Sequence, residues 1–428
     1  MAEMLLAYKY RIYPKTWQGR LMRSHLSTLC ELYNTFRDLK IGTWKQKHIS
    51  LSRTNLRLKA LELRRQNESL KEIHSQVVQS VAARLARSFK NYFEGMARFP
   101  KHKHPKKYLS FTYPQSGFKL CNNKLYLSGI GDVRIFMHRP MEGQVKTLTV
   151  KYNAGQWYVV FVCKIPDREK MPIEQIPDER IKGGDLGLIK FLTFSDGATV
   201  EPPNFLRKSE EKIKRLQRVM SRAKKDSRNR KKLALRLAKL HHHVACQRGD
   251  HQNKTLATLY KAIDVLFLER LSVTNMVKNH CLAKSLQDAS PGKFLRKAQF
   301  KADVLGKWFL PVDPWGTTQF CHNCLSWVPK DLGEREHTCP NCGENLPRDE
   351  NSAKLIRRIG LSGFKPDYAH GRWVNTPAES EPLPSLMGMV SKDVEAGSPR
   401  LQPWEDVTGV SCYRGSDSGI LMLDAGNF

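Results

Sequence analysis

The chain has 428 residues, 40% hydrophobic and 9% aromatic, a globular composition with room for about three domains of ordinary size. Its 72 Lys and Arg against 41 Asp and Glu give a formal net charge of +31, which excludes an ordinary metabolic enzyme as the default and points to a phosphate polymer as partner. The excess is uneven, because eight acids face four bases from Gly371 onward and residues 1–370 therefore carry +35. An anionic membrane is the rival partner. No apolar run reaches the roughly 18 residues of a spanning helix, and Met1–Tyr13 is too short and too quickly charged for a signal peptide, so a soluble intracellular protein without a membrane partner is expected.

Leu6–Tyr13 alternates apolar and basic residues up to Pro14 and reads as one strand with no nearby strand to pair with. Helical patterns follow, with Leu21, Leu26, Leu29, Leu32 and Tyr33 in one stretch and Val77, Val81, Leu85, Phe89 and Phe93 in another. Period-two alternation resumes after Pro100, at 125–127, 133–135, 145–152 and 156–164, the last two joined by a hairpin turn at Asn153-Ala-Gly155. A small barrel interrupted by a helical insertion accounts for this order. After a Pro- and acid-containing linker (165–180), residues 181–194 read as a strand, a turn at Gly187 and a second strand. Residues 207–239 hold fifteen bases and three acids on a helical pattern split near Asp226-Ser227. The bland reading is a solvated charged hairpin, but so many like charges favour a polyanion, and Lys212, Arg215, Arg222, Lys224, Lys225 and Arg230 are expected to contact phosphates. Residues 263–268 form a short apolar run of the kind buried on both faces of a sheet, ending in Glu269. Helices are expected over 294–305 and 349–359, and beyond Gly360 the composition argues for disorder or a tail ordered by partners.

Six of the ten cysteines are scattered, while Cys321-His-Asn-Cys324 and Cys339-Pro-Asn-Cys342 stand fourteen residues apart. Tetrahedral zinc takes four thiolates, and each Cys-x-x-Cys supplies two from one tight turn, so a single structural Zn²⁺ is expected on Cys321, Cys324, Cys339 and Cys342, with His322 and His337 as loop residues. A pair of disulfides in an exported protein is disfavoured by the missing signal peptide. Three acids sit in apolar, basic surroundings: Asp185 after Gly183-Gly184, Glu269 at a strand end, and Asp349 at a helix start. Each alone is an ordinary strand-end or helix-start acid. Together they supply the hard oxygen ligands that phosphodiester hydrolysis with two Mg²⁺ requires, as in the ribonuclease-H-like fold.

Beside these acids stand Lys9-Tyr-Arg-Ile-Tyr-Pro14 with Gln18, Tyr33-Asn34, Gly184-Asp-Leu-Gly-Leu188, Glu269-Arg-Leu-Ser-Val273, Asn275-Met-Val-Lys-Asn279, Asp288-Ala-Ser290 with Phe294, Asp313-Pro-Trp-Gly-Thr-Thr-Gln319, and Arg348-Asp-Glu-Asn-Ser-Ala353. In that order and spacing, from about Tyr8 to Leu361, the chain resembles the TnpB (OrfB) proteins of bacterial insertion sequences, RNA-guided nucleases akin to type V CRISPR effectors. The resemblance implies RuvC-type catalytic, Mg²⁺-binding acids at Asp185, Glu269 and Asp349 and zinc ligands at the four paired cysteines. It implies an α/β and β multidomain architecture: a ribonuclease-H-like (RuvC) nuclease domain at 180–317 and 346–365 with an inserted zinc-ribbon target-nucleic-acid-binding domain at 318–345, and an OB-like wedge β-barrel at 1–15 and 99–170. The barrel is interrupted by a helical recognition domain at 16–98, and 366–428 is left as a disordered or guide-dependent tail. Ser75, Gln76, Gln79 and Thr112 look equivalent to positions that read a short flanking DNA motif. Two departures stand out: Pro347 replaces an acid common before the Arg-Asp pair, and Leu325 replaces a glycine after the second cysteine.

The implied function is a guide-RNA-directed, Mg²⁺-dependent DNA endonuclease of a transposable element, making double-strand breaks. Its implied partners are a transposon-end guide RNA and double-stranded target DNA, and it would act as a monomer in the bacterial cytoplasm at the nucleoid. The rivals are a nuclease-inactive RNA-guided repressor, against which all three acids speak, a CRISPR-associated miniature effector, and a strand-joining transposase, which fold alone does not exclude.

Overall fold

The computed structural model describes residues 3–331, 333–367 and 372–375. Contacts divide the chain between Lys164 and Ile165 into two units. The first opens with β1 (Glu3–Tyr13), then α1 (Thr16–Lys47), α2 (Arg53–Gln66), α3 (Glu68–Lys71) and α4 (Ser75–Phe93). Six strands follow: β2 (Ser110–Tyr113), β3 (Phe118–Cys121), β4 (Lys124–Leu127), β5 (Gly131–Phe136), β6 (Gln144–Asn153) and β7 (Gln156–Pro166). They join β1 in one sheet, ordered β2-β6-β7-β1-β5-β4-β3. The partner that β1 lacks locally is β5, more than a hundred residues on, with Arg11 opposite Phe136 and Tyr13 opposite Arg134. The sheet curls on itself, since the Phe118 ring of one edge strand lies 6.3 Å from Tyr113 of the other. Alternate residues, among them Tyr10, Ile12, Val133, Ile135, Leu148, Val150 and Phe161, fill the interior. Strands β2 and β3 have four residues each, too short for alternation to declare them in the sequence.

The second unit holds β8 (Ile181–Asp185), β9 (Leu192–Phe194), β10 (Thr199–Val200), α5 (Phe205–Arg222), α6 (Arg228–Ala262), β11 (Val265–Glu269), α7 (Val273–Met276), α8 (His280–Ala289) and α9 (Pro291–Leu305). Next come β12 (Trp308–Val312), β13 (Glu336–Thr338), β14 (Asn345–Pro347), α10 (Arg348–Ser362), β15 (Phe364–Asp367) and β16 (Arg372–Asn375). Its main sheet runs β10-β9-β8-β11-β12. Strands β8, β11 and β12 are parallel, and β9 and β10 complete an antiparallel edge. Every residue of β11 is buried. Leu266 and Leu268 face one core with Tyr260 of α6 and Phe294 and Ala298 of α9, whereas Val265 and Phe267 face another with Leu355, Ile356 and Ile359 of α10. Two glycines let α10 lie directly on the sheet. A Cβ at Gly183 would stand 2.3 Å from the Ala353 carbonyl oxygen, and one at Gly360 2.2 Å from the Phe267 ring.

The structure departs from the sequence expectations in three places. Strand β12 was not anticipated, because Pro311 interrupts its apolar run. Helix α6 continues to Ala262, well past the basic stretch. Residues 364–367 pair with 372–375 as a hairpin, so the tail expected to lack structure from 366 starts with a strand pair, and its remainder lies outside the described residues. Among the described residues no helix is long and apolar enough to cross a membrane.

Candidate metal centres

Asp185 and Glu269 are the last residues of β8 and β11. The parallel ladder sets Leu268 opposite Gly184, so both carboxylates emerge at the carboxyl edge of the sheet, where ligands of open α/β sheets bind. Asp349 stands in the first turn of α10, which packs on β8 and β11. The three acids share one electrostatic environment. Burial holds the Asp185 carboxyl well above the ordinary carboxylate range, Glu269 and Asp349 push it further, and Arg348 offsets part of the effect. Burial also raises Glu269, which is 8% exposed, against the opposing hydrogen bond it accepts from the buried Thr317 hydroxyl. Asp313, just past Val312 on the neighbouring strand, adds negative charge beside Glu269. An all-oxygen donor set in which charge is crowded beyond what burial tolerates suits a hard divalent cation such as Mg²⁺.

The four paired cysteines do converge, with all their sulfurs within 4.8 Å of one another. Sγ of Cys321 lies 3.7 Å from that of Cys342, and Cys324 lies 3.5 Å from Cys339. Four thiolates at the usual zinc–sulfur distance stand about 3.8 Å apart, so the cage has the size zinc requires, and the cysteines are free rather than disulfide-bonded. The Cys324 thiol is pulled down to about 5, chiefly by its hydrogen bond with Ser326. His322 is turned to Glu344 at 3.3 Å, His337 sits in β13 rather than in a loop, and the ligand atoms that gather are the four sulfurs without either histidine.

The basic stretch forms the α5–α6 hairpin. Lys212, Arg215, Arg222, Lys224 and Lys225 are exposed along it. Arg230 differs, because its guanidinium donates to the carbonyls of Met220 (2.8 Å) and Ala223 (3.0 Å) and closes the end of α5. It is committed to the hairpin itself rather than presented to a phosphate. Asp288 on α8 caps α5 from outside: its carboxylate accepts from the Leu206 and Arg207 N–H groups and pairs with Arg248 at 3.2 Å. In the first unit, Ser75 opens α4, Gln76 Oε1 accepts from the Ser116 N–H at 3.0 Å, Gln79 Oε1 accepts from the Arg57 guanidinium, and Thr112 pairs with Thr149 at 2.9 Å. All four are half-buried, and the Gln76 and Gln79 bonds lie at the surface while the Thr112 pair is half-buried.

Three family models match the chain. OrfB_IS605, described as a probable transposase, covers residues 167–280, the Cas12f1-like TNB domain covers 292–356, and the OrfB_IS605 helix-turn-helix domain covers 1–48. The "Putative RNA-guided DNA endonuclease InsQ" of Escherichia coli (strain K12) is 30% identical over 309 residues, 68% of this chain and 76% of that protein. The chain belongs to the OrfB_IS605 (TnpB) family. A second TnpB-family relative, the "Putative RNA-guided DNA endonuclease" of Streptomyces pristinaespiralis, is 26% identical over 405 residues, 91% of this chain and 99% of the relative. Among solved structures, a Cas12f1–sgRNA–target DNA complex aligns at a TM-score of 0.32 and 12% identity, over 83% of this chain and 99% of that one.

Within this TnpB-family chain, sequence reasoning passed over three residues that support the centres. Thr317 binds Glu269, Asn351 joins α10 to the first cysteine knuckle, and Arg358 donates to the carbonyls of His322 and Asn323. Thr317 and Asn351 lie inside quoted motifs, which was the available signal, but nothing in a motif says which side chain its hydroxyl or amide will meet.

Proposed function

We propose that the chain is an RNA-guided DNA endonuclease with a RuvC-type, Mg²⁺-dependent centre of Asp185, Glu269 and Asp349. One observation carries the reading: carboxylates from the ends of two adjacent parallel strands and from the first turn of the helix packed on them bear on one another's charge at Asp185, although their oxygens are not drawn as close together as the four sulfurs. The strand order, with β8, the first strand of the second unit, central and flanked by antiparallel β9 and parallel β11, is the arrangement expected of a ribonuclease-H-like domain. The family relatives named as RNA-guided endonucleases support the guide.

Asp185, Glu269 and Asp349 would hold Mg²⁺, and the four cysteines one structural Zn²⁺. Bound there, Mg²⁺ supplies a nucleophilic water and neutralises the charge that develops on the leaving 3′ oxygen. The chain's own residues do the rest. Thr317 fixes the Glu269 carboxylate, and Arg348 balances part of the cluster's charge. The exposed bases of α5 and α6 hold phosphates without reading sequence. A transposon-end RNA is the proposed guide, and the first unit, with Ser75, Gln76, Gln79 and Thr112, is the proposed reader of a short flanking duplex motif.

The test is to purify the protein with its neighbouring non-coding RNA, add Mg²⁺ and a plasmid library carrying a guide-matched target beside randomised bases, and sequence the ends. Ends clustered beside one flanking motif are expected. A preparation without RNA would sink the guided reading, and cutting that survives Asp185→Ala would sink the catalytic assignment.

A further inference from the structure

The segment that carries the first cysteine knuckle touches both carboxylate-bearing elements. Thr317, four residues before Cys321, donates to Glu269. Three residues later the backbone is gripped by Asn351, whose side chain is fully buried: its Nδ2 donates to the Phe320 carbonyl at 2.8 Å and its Oδ1 accepts from the His322 N–H at 2.9 Å. Seven residues along α10, on the same helix face, Arg358 donates to the His322 carbonyl at 2.7 Å and also to that of Asn323. The knuckle's N–H groups are thus divided. Those of Asn323 and Cys324 bond the Cys321 sulfur, and that of His322 is turned to the helix.

We infer that Asn351 is a positioning residue that fastens the zinc knuckle to the helix bearing Asp349, so that zinc occupancy governs how tightly the acid cluster binds its divalent cation. Asn351 lies two residues after Asp349, about 200° further round the helix. One side chain therefore faces the sheet edge while the other grips the knuckle. A displacement of residues 317–323 acts at once on Glu269 through Thr317 and on Asp349 through Asn351. Four thiolates on one zinc ion fix that segment, whereas without the metal the ribbon lacks the core to hold it. The inference rests on the proposed metal centre and concerns how that centre is built, not which nucleic acid it cuts.

The experiment uses the full chain copurified with its RNA. Mn²⁺, a paramagnetic stand-in for Mg²⁺, is titrated and followed by electron paramagnetic resonance, counting only the binding lost in Asp185→Ala. Zinc is measured on the same samples by mass spectrometry. Asn351→Ala is expected to keep one zinc per chain and bind Mn²⁺ about tenfold more weakly, the usual effect of losing a residue that orients a metal ligand. Asn351→Ser is uncharged, keeps one polar atom too short to hold both bonds, and is expected to fall between; it carries the test should the alanine variant fail to fold. Stripping zinc from the wild type should weaken Mn²⁺ to the same degree, with little further loss in Asn351→Ala. Mn²⁺ affinity within twofold of wild type in a zinc-loaded Asn351→Ala overturns the inference, as does loss of zinc from that variant, which would make Asn351 a prop of the ribbon alone. Wild-type Mn²⁺ binding that Asp185→Ala leaves intact would overturn the metal centre itself, a separate result.

Discussion

Asp185 holds its proton more tightly in the folded chain than in the unfolded one, because burial and two neighbouring acids disfavour its charge. The sign of the linkage follows. The penalty on folding is absent at low pH and grows as the pH rises above about 4 and toward the raised folded value. Metal-free protein should therefore gain more thermal stability in Asp185→Asn at pH 8 than at pH 5, and added Mg²⁺ should raise the melting temperature of the wild type at pH 8 while leaving the variant unmoved. Scanning fluorimetry at the two pH values reads both effects. Asp264 has the opposite sign. Arg180 and Lys307 hold its carboxyl down to about 2, so its contribution is present above about 4 and is lost as pH falls toward 2. Asp264→Asn is expected to cost about 2 kcal/mol near pH 7 and about half that near pH 3 in denaturant titrations. At this scale the sequence was readable for residues whose chemistry is in their own side chain. The acids stood out against a basic background and the cysteines by spacing, whereas Arg230 looked like its exposed neighbours until its carbonyl partners were visible.

Between elements, one carboxylate ties the start of α5 to α6 and α8. Asp288 is 3% exposed and serves two N–H groups and a guanidinium at once, and Asn204, at the cap position of α5, makes no side-chain cap. Asp288→Ala leaves those donors buried and should cost about 1–3 kcal/mol, with hydrogen exchange accelerated first in residues 205–222. Gly183→Ala forces α10 off the sheet. It should destabilise the second unit and weaken cutting even though no acid is changed, while a surface control such as Gly333→Ala, with open space around its Cβ, leaves both intact. Element boundaries were legible where local chemistry sets them. The helix break has Asp226 at positive φ and Ser227 accepting from the Arg230 N–H at 3.1 Å, and β11 was evident from its unbroken apolar run. They were illegible where the partner is remote: β1 gives no hint of β5, and Pro311 hides β12 within the sheet.

Across the whole chain, the +35 carried by residues 1–370 predicts RNA binding that is steep in salt. For about 6–10 phosphate contacts, affinity should fall about a thousandfold or more between 50 and 200 mM salt. Replacing Lys224 and Lys225 by Glu should flatten the slope without changing the melting temperature, because both side chains are exposed, and filter binding across a salt series measures it. The charge excess behind the proposed polyanionic partner was legible at once, since charge needs no fold to be counted. The division between Lys164 and Ile165 falls where the Pro- and acid-containing linker begins, a change of composition that is also counted without a fold.

The order of the carboxylates along the chain has a consequence during synthesis. Asp185 and Glu269 leave the ribosome first, and Asp349 follows only after the fourth cysteine has emerged. Any polypeptide interrupted before Arg348 carries the basic hairpin and two acids but neither α10 nor its grip on the knuckle. On the proposed function, abortive translation products would bind nucleic acid without cutting it, and cutting would await a finished second unit.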